Sequence, residues 1–172
     1  MNLSIFFIVF ILGPIPVAHI LLHIFLQFWR TRAKAMYMMG VGTWIIFLPT
    51  ALFVSQFQNA LFIPPYGLIK LSLILILIWT LIVFWAMNTL TIKRFLLWAV
   101  VQPHQVEQKY VERGPYQYLP HPAYTAYMMI SLFAFLATGY SSLLIFFVLF
   151  VFSMFFVIHL ENKELHKRLQ NS

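Results

Sequence analysis

Long apolar runs alternate with short polar segments along the chain. The runs cover Leu3–Phe28, Met36–Val54, Leu68–Met87 and Ala123–Leu160. A helix needs about 20 mostly apolar residues to cross the hydrocarbon core of a bilayer. The first three runs therefore each predict one span. The last run is long enough for two short spans, and the cluster of Gly, Ser and Thr at 138–142 is typical of a turn between them.

This pattern predicts an all-α integral membrane protein with about five transmembrane helices, of which the last two form a helical hairpin. Composition agrees with it: 62% of the 172 residues are hydrophobic and 9% are charged, against roughly 45–50% and 25% in average soluble domains. An ordinary water-soluble globule is thereby excluded. The chain has no Cys, which excludes disulfides, thiolate nucleophiles and Cys-based metal sites.

The charges of the polar segments predict how the chain is oriented across the membrane. The formal net charge is +7. Basic residues follow the first, third and fifth spans and are Arg30, Arg32, Lys34, Lys93, Arg94, Lys109, Arg113, Lys163, Lys167 and Arg168. Cytoplasmic loops of membrane proteins are enriched in Lys and Arg. The amino terminus is therefore predicted outside and the carboxy terminus inside, and the basic residues are attributed to anionic lipid headgroups rather than to nucleic acid.

The first span is expected to be a retained anchor rather than a signal peptide. Its leading residues, 1–4, carry no basic side chain, and the positive charge follows the span instead. No repeat or Ser/Gly linker divides the chain, which predicts one structural domain overall.

The largest departure from lipid-like sequence is Asn88–Pro122. Its middle, Phe95–Val101, is apolar and is expected to form a short helix along the membrane interface. The remainder is rich in Pro, Tyr and His. One interpretation is a helix-breaking loop whose Tyr residues sit at the headgroup level.

A second interpretation of this segment comes from His121-Pro122-Ala123-Tyr124. Pro favours the first position of a helix, so His121 is expected at the N-cap. The helix N-terminus attracts a carboxylate or a phosphate. Aromatic faces nearby attract a cation such as a sulfonium, and they are supplied by Tyr116, Tyr118, Tyr124 and Tyr127. S-adenosylmethionine carries both a carboxylate and a sulfonium.

The second departure begins at His159, where the last run becomes polar. Glu161 and Glu164 are three residues apart on one helical face, and Glu164 and Arg168 are spaced for an i, i+4 ion pair. This segment is either a solvated amphipathic tail or the source of a carboxylate that accepts hydrogen bonds from a ribose or an amine.

Gly114-Pro-Tyr-Gln-Tyr-Leu-Pro-His-Pro-Ala-Tyr124, followed by Glu161-Asn-Lys-Glu-Leu165, resembles the isoprenylcysteine carboxyl methyltransferase family and the related phospholipid methyltransferases. The family pattern is Gly-Pro-Tyr-x-Tyr-x-Arg-His-Pro-x-Tyr, a helical hairpin and then Glu-Glu-x-x-Leu. The resemblance covers roughly residues 85–169, and both the order and the spacing agree.

The resemblance implies an integral membrane methyltransferase that holds S-adenosylmethionine on the cytoplasmic side. It divides the single domain into a three-span bundle, residues 1–87, and a cofactor-binding half, residues 88–172. The positions that match cofactor-binding parts of the family pattern are Gln108, Lys109, Tyr110, Val111, Tyr116, His121, Pro122, Ala123, Tyr124, Glu161 and Asn162.

Three positions depart from the family pattern. Pro120 replaces an Arg, Asn162 replaces the second Glu, and Ile158 replaces a substrate-facing Arg of the protein methyltransferases. His159, the nearest polar neighbour of Ile158, is the candidate substrate contact.

Three functions follow as hypotheses. The first is a methyltransferase acting on a lipidic or prenylated amphiphilic acceptor that enters between the spans, with the methylated atom left open among oxygen, nitrogen and sulfur. The second is a non-catalytic binding or assembly protein of the same fold, suggested by the departures. The third is haem or metal binding by His19 and His23, which are spaced i, i+4 in the first span, although no metal site is predicted on this pair alone.

Overall fold

The computed structural model of the protein describes residues 1–90, 92–96, 98–102, 105 and 111–170. The regular secondary structure of this part of the chain is helical, apart from an isolated antiparallel bridge between Ala60 and Tyr140. Its α-helices are α1 Leu3–Leu12, α2 Pro14–Ile24, α3 Leu26–Thr31, α4 Ala33–Val54, α5 Tyr66–Leu90, α6 Ile92–Phe95, α7 Trp98–Val101, α8 Pro122–Thr138 and α9 Ser141–Gln170. A 3₁₀ helix, Gly114–Gln117, precedes α8.

Within the described residues, four helical stretches are long and apolar enough to cross a membrane. They are Leu3–Ile24, formed by α1 and α2 together, Ala33–Val54, Tyr66–Leu90 and Ser141–Lys167. The shorter apolar helix α8 occupies the place of the remaining predicted span. The prediction of a multi-pass helical protein is thus confirmed at the level of four long apolar helices. The remaining predicted span corresponds to a helix of only 17 residues.

The first predicted span is shorter than its apolar pattern suggested. The helix is interrupted at Phe25, whose φ of −103° and ψ of 29° are not helical, and α3 follows as a separate helix. Within the span, Gly13 joins α1 to α2 and lies against α4. A Cβ on Gly13 would lie 2.5 Å from Cε1 of Phe47.

The apolar side chains of these helices lie largely on the outside of the molecule. Exposed examples are Ile46 on α4, Leu77 on α5 and Phe152 on α9. Contiguous apolar surface of this kind is rare on soluble proteins. It is the surface expected of helices that contact lipid.

The first span packs against both helices of the carboxy-terminal half. Ile5 and Val9 on α1 are buried with Ala134 of α8 and Leu143 of α9. Farther along the chain, Leu12 belongs to a second buried cluster that contains residues of α8 and α9. The two halves of the chain therefore share their core.

The turn between α8 and α9 lies where the sequence predicts it. Gly139 ends α8 in the left-handed conformation, with φ at 71°. The loop between α4 and α5 pairs with this turn, because Leu61 N donates to Gly139 O at 2.8 Å and Ser141 N donates to Asn59 O at 2.9 Å. One end of the bundle is thereby closed by backbone hydrogen bonds.

An ion pair joins the first half of the chain to α9 at the opposite end of the molecule. Arg30 Nη2 on α3 donates to Glu164 Oε1 at 2.5 Å. Gln102 Nε2, directly after α7, donates to the Arg30 carbonyl at 3.1 Å. The sequence spacing had paired Glu164 with Arg168, whose side chain lies outside the described part of the chain.

The segment expected to lie along the membrane interface contains α6 and α7. Val100 and Val101 on α7 are buried in a cluster with Leu22 and Met36. The end of this segment therefore packs against α2 and α4.

The tight turn at Gly139 predicts that a side chain at this position destabilises the protein. A Cβ at Gly139 would lie 2.1 Å from the Phe62 carbonyl oxygen, and a side chain at positive φ adds about 1–2 kcal/mol of strain. We expect Gly139→Ala to lower the free energy of unfolding by at least about 2 kcal/mol, measured by denaturant titration in bicelles.

The matched control for this prediction is Gly67→Ala on α5, where an added Cβ meets no atom within 4 Å. It should change the free energy of unfolding by less than about 1 kcal/mol. Equal effects of the two substitutions would contradict the role assigned to Gly139.

Candidate active site

A cavity of about 430 Å³ lies where α8 begins, between the two halves of the chain. Its apolar wall comes mainly from α1, α2, α4 and α6, and includes Ile11, Ile15, Leu22, Met36, Met39 and Phe95. Its polar side chains are His19, Tyr37, Arg94, Tyr116, His121, Tyr124, Tyr127 and Glu161. The size is in the range of small-molecule sites, roughly 300–1,000 Å³.

The Gly-Pro-Tyr sequence directs Tyr116 into this cavity. Gly114 has a φ of 60° and lies so close to α5 that a Cβ would be 2.5 Å from Thr89 Oγ1. Arg113 Nη2 donates to the Thr89 carbonyl at 3.3 Å and fixes the same turn on α5. Burial raises the pKa of the Tyr116 hydroxyl, and the negative charge of Glu161 raises it further, so Tyr116 enters the cavity as a neutral phenol.

His121 directly precedes α8, as the His-Pro sequence predicts. Its backbone is not helical, its carbonyl accepts from Thr125 N at 3.0 Å, and Pro122 occupies the first helical position. The His121 ring stacks on Tyr124, with the ring centres 5.5 Å apart and the planes 10° from parallel.

Two residues of α9 contact the His121 imidazole. Nε2 of His121 is 3.0 Å from Oδ1 of Asn162. Since an amide oxygen only accepts, Nε2 is the donor of this hydrogen bond. The other ring nitrogen, Nδ1, lies 3.8 Å from Glu161 Oε2. These contacts hold the beginning of α8 against the polar end of α9.

The Glu161 carboxylate lies in the cavity and is incompletely satisfied. The Tyr124 side chain interacts with it. Its Oε2 atom is buried and has no hydrogen-bond partner among the residues that the structure describes. Buried polar atoms are nearly always paired, so this oxygen is positioned to accept a hydrogen bond from a ligand.

The structure brings most of the predicted cofactor-binding residues together. Those that line the cavity are Tyr116, His121, Pro122, Ala123, Tyr124 and Glu161. Asn162 reaches the site through its hydrogen bond with His121. Val111 is not part of the described lining, and Gln108, Lys109 and Tyr110 lie outside the described residues.

The candidate substrate contact, His159, is exposed on α9 and is not among the described lining residues. Of the four tyrosines chosen for their aromatic faces, Tyr127 joins Tyr116 and Tyr124 in the lining. Tyr118 is 72% exposed.

Sequence reasoning missed the contribution of the first half of the chain and of α6. His19 on α2, Tyr37 and Trp44 on α4, and Arg94 on α6 all line the cavity. Only His19 carried a signal in the sequence, as an ionisable residue inside an apolar span.

His19 had been grouped with His23 as a possible haem or metal site. In the structure, Nδ1 of His19 bonds to the Ile15 carbonyl at 2.8 Å, and the ring meets Tyr124 edge-on. Within the described residues no group of three or more His, Cys, Asp or Glu side chains is arranged to hold a metal ion. The haem or metal hypothesis therefore gains no support from this geometry.

Comparison with known proteins places the chain in a family. The family model for phospholipid methyltransferases matches residues 68–172, which is more than half of the chain. No curated protein and no solved structure gives a significant match. The matched region contains the Gly-Pro-Tyr turn, the His-Pro start of α8 and Glu161, the residues on which the sequence resemblance rested. The chain belongs to the phospholipid methyltransferase family.

Proposed function

We propose that the protein is a membrane-embedded, S-adenosylmethionine-dependent methyltransferase whose acceptor is a lipid. Membership in the phospholipid methyltransferase family supports the reaction class. The observation that carries the assignment to this cavity is the buried Oε2 of Glu161, which accepts no hydrogen bond from the described residues and lies beside His121, Tyr116 and Tyr124.

The residues present fit this cofactor. Glu161 accepts hydrogen bonds, which suits a ribose or an amine. The faces of Tyr116, Tyr124 and Tyr127 suit a sulfonium, because aromatic rings attract cations. The amide groups at the beginning of α8, and the Arg94 guanidinium, suit a carboxylate. Gln108, Lys109, Tyr110 and Val111 are proposed to complete the binding site, as the family pattern implies.

When bound, S-adenosylmethionine supplies an electrophilic methyl group on a positively charged sulfur. The protein's own contribution is to bind, orient and exclude water. His121 and Glu161 hold the polar end of the cavity in place through their contacts with each other and with Asn162. The apolar residues of α2 and α4 keep the remainder of the cavity dry.

The apolar wall is proposed to receive the acceptor. Met36 and Met39 on α4 and Ile15 on α2 are among the apolar residues that line the cavity. An amphiphilic acceptor that enters between these helices would leave its chains in the bilayer and place its headgroup beside the polar residues. A phospholipid satisfies this requirement and agrees with the family.

The departures from the family pattern do not remove the chemistry that the site needs. Asn162 stands where a Glu is expected, yet it still hydrogen-bonds to His121. Pro120 supplies no cation, but Arg94 lines the cavity from α6. A catalytic role is therefore favoured over a non-catalytic binding protein of the same fold.

The methyltransferase assignment predicts transfer of a labelled methyl group. Purified protein in lipid nanodiscs, supplied with methyl-tritiated S-adenosylmethionine, should label a phospholipid such as phosphatidylethanolamine. Parallel nanodiscs that contain a prenylcysteine lipid separate the two acceptor classes. Label in neither acceptor, together with no binding of millimolar cofactor, would contradict the proposal.

The role of Glu161 predicts a loss of cofactor affinity. Glu161→Gln should raise the dissociation constant of S-adenosylhomocysteine about 10- to 100-fold in calorimetry, since a hydrogen bond to a charged group contributes about 1.5–3 kcal/mol. Lys163→Gln, an exposed position on the same helix, is the control and should leave the affinity unchanged. Equal affinities for all three proteins would refute the placement of the cofactor at Glu161.

The cofactor side of the cavity is proposed to face the cytoplasm, with the amino terminus outside and the carboxy terminus inside. Because the chain has no natural Cys, single cysteines can report this orientation. Gln58→Cys, in the exposed α4–α5 loop, should react with a membrane-impermeant maleimide on intact cells. His166→Cys, exposed on α9, should react only after permeabilisation, and the opposite pattern would reverse the proposed topology.

A further inference from the structure

A hydrogen bond within its own helix holds the His19 imidazole in one tautomer. Nδ1 lies 2.8 Å from the Ile15 carbonyl oxygen, one helical turn back. A carbonyl oxygen only accepts hydrogen bonds, so Nδ1 carries the proton and donates it. In the neutral ring, Nε2 is then left with a lone pair.

This lone pair belongs to a side chain that lines the cavity. His19 is half-buried in the cavity lining. Its ring meets Tyr124 edge-on, with 5.4 Å between the ring centres. Among the described residues, no hydrogen bond to Nε2 is formed. Ionisable side chains inside membrane spans are expensive to place and are usually functional.

We propose that Nε2 of His19 is the base that deprotonates the ammonium headgroup of the acceptor. The inference rests on the proposed function. The N–H bond of the ammonium breaks, its electron pair stays on the headgroup nitrogen, and the proton forms a new bond with Nε2. The nitrogen then uses that pair to take the methyl group as the carbon–sulfur bond breaks toward sulfur. The imidazolium finally returns its proton to water.

The other polar groups of the cavity are less suited to accept this proton. The Nε2 of His121 already donates to Asn162, and its Nδ1 faces Glu161. Tyr116 is a neutral phenol and a poor base. Glu161 is committed to contacts with Tyr124 and His121 and to the proposed cofactor.

Burial of His19 disfavours the imidazolium that the step creates, and the nearby Glu161 carboxylate offsets part of that cost. Glu161 on α9 is close enough to act on His19 electrostatically, and a negative charge favours a protonated imidazole. The remaining titratable groups around the cavity are Tyr37 on α4, Arg94 on α6, and Tyr124 and Tyr127 on α8. The tyrosines are uncharged at neutral pH, so among the described lining residues Glu161 and Arg94 supply the carboxylate and the guanidinium beside the reaction.

His19 lies outside the region that the family model matches, residues 68–172. The base would therefore come from the first half of the chain, while the cofactor is held mainly by the second half. Such an arrangement requires that the two halves pack together before the reaction can occur.

The test compares His19→Asn with the unaltered chain on phosphatidylethanolamine nanodiscs. General base catalysis contributes about 10²- to 10⁴-fold, so kcat at pH 7 should fall by at least about 100-fold. The dissociation constant of S-adenosylhomocysteine should stay within about twofold, because His19 is not proposed to bind the cofactor. The deficit in kcat should shrink as the pH rises toward 10, where the headgroup amine loses its proton unaided.

The matched control is His23→Gln, one turn farther along α2 and not among the described lining residues of the cavity. It should keep both the rate and the pH profile. A second readout needs no turnover: ¹⁵N spectra of the His19 ring should show a neutral imidazole protonated at Nδ1.

The outcomes separate this inference from the proposed function. If the unaltered chain methylates the lipid and His19→Asn does so at the same rate and with the same pH profile, the role of His19 is wrong and the methyltransferase assignment stands. A constant deficit at every pH, or an equal deficit in His23→Gln, also overturns the role of His19. If the unaltered chain neither binds cofactor nor methylates a lipid, both proposals fail.

Discussion

Lipid offers no hydrogen bonds, so every backbone polar group of a membrane-embedded chain must find its partner inside the protein. This constraint explains where the chemistry of the molecule lies. The long helices satisfy their own backbones and present apolar side chains outward. At one end of the bundle His121 contacts both Asn162 and Glu161.

The candidate site depends on contacts between distant parts of the chain. The family match begins at residue 68, yet a large part of the cavity wall comes from α1, α2 and α4. Packing of Leu12 against the α8 and α9 cluster keeps these helices beside the site. The Arg30–Glu164 ion pair makes a further connection one helical turn beyond Glu161. The first half therefore shapes the space in which the acceptor is proposed to bind, while the second half carries the family residues.

Local sequence signals predicted the elements and much of the site. Pro122 predicted the beginning of α8, because proline fixes φ at a helical value. Gly139 predicted its end, because glycine readily adopts the positive φ that ends a helix. Motif residues between Tyr116 and Tyr124 line one cavity together with Glu161, as the resemblance implies. The end of the first span at Phe25 was missed, since an apolar run continues through it without a break in composition.

Contacts between distant segments could not be read from the sequence. Helical spacing pairs Glu164 with Arg168, whose side chain lies outside the described residues. That spacing gives no sign of the ion pair that Glu164 makes with Arg30, 134 residues away. The face on which His19 lies depends on how α2 packs against α8, and no periodicity in an almost wholly apolar span reveals that face. The same reasoning applies to Arg94, because its place in the cavity depends on the fold of the segment after α5.

The central claim is that the cavity between the two halves is where cofactor and acceptor meet. An experimental structure of the protein in nanodiscs with S-adenosylhomocysteine tests it most directly. We expect ligand density within hydrogen-bond distance of Glu161, beside Tyr116 and His121, with the sulfur facing the part of the cavity that His19 lines. Density at another surface, or Glu161 without any ligand contact at saturating concentration, would contradict it.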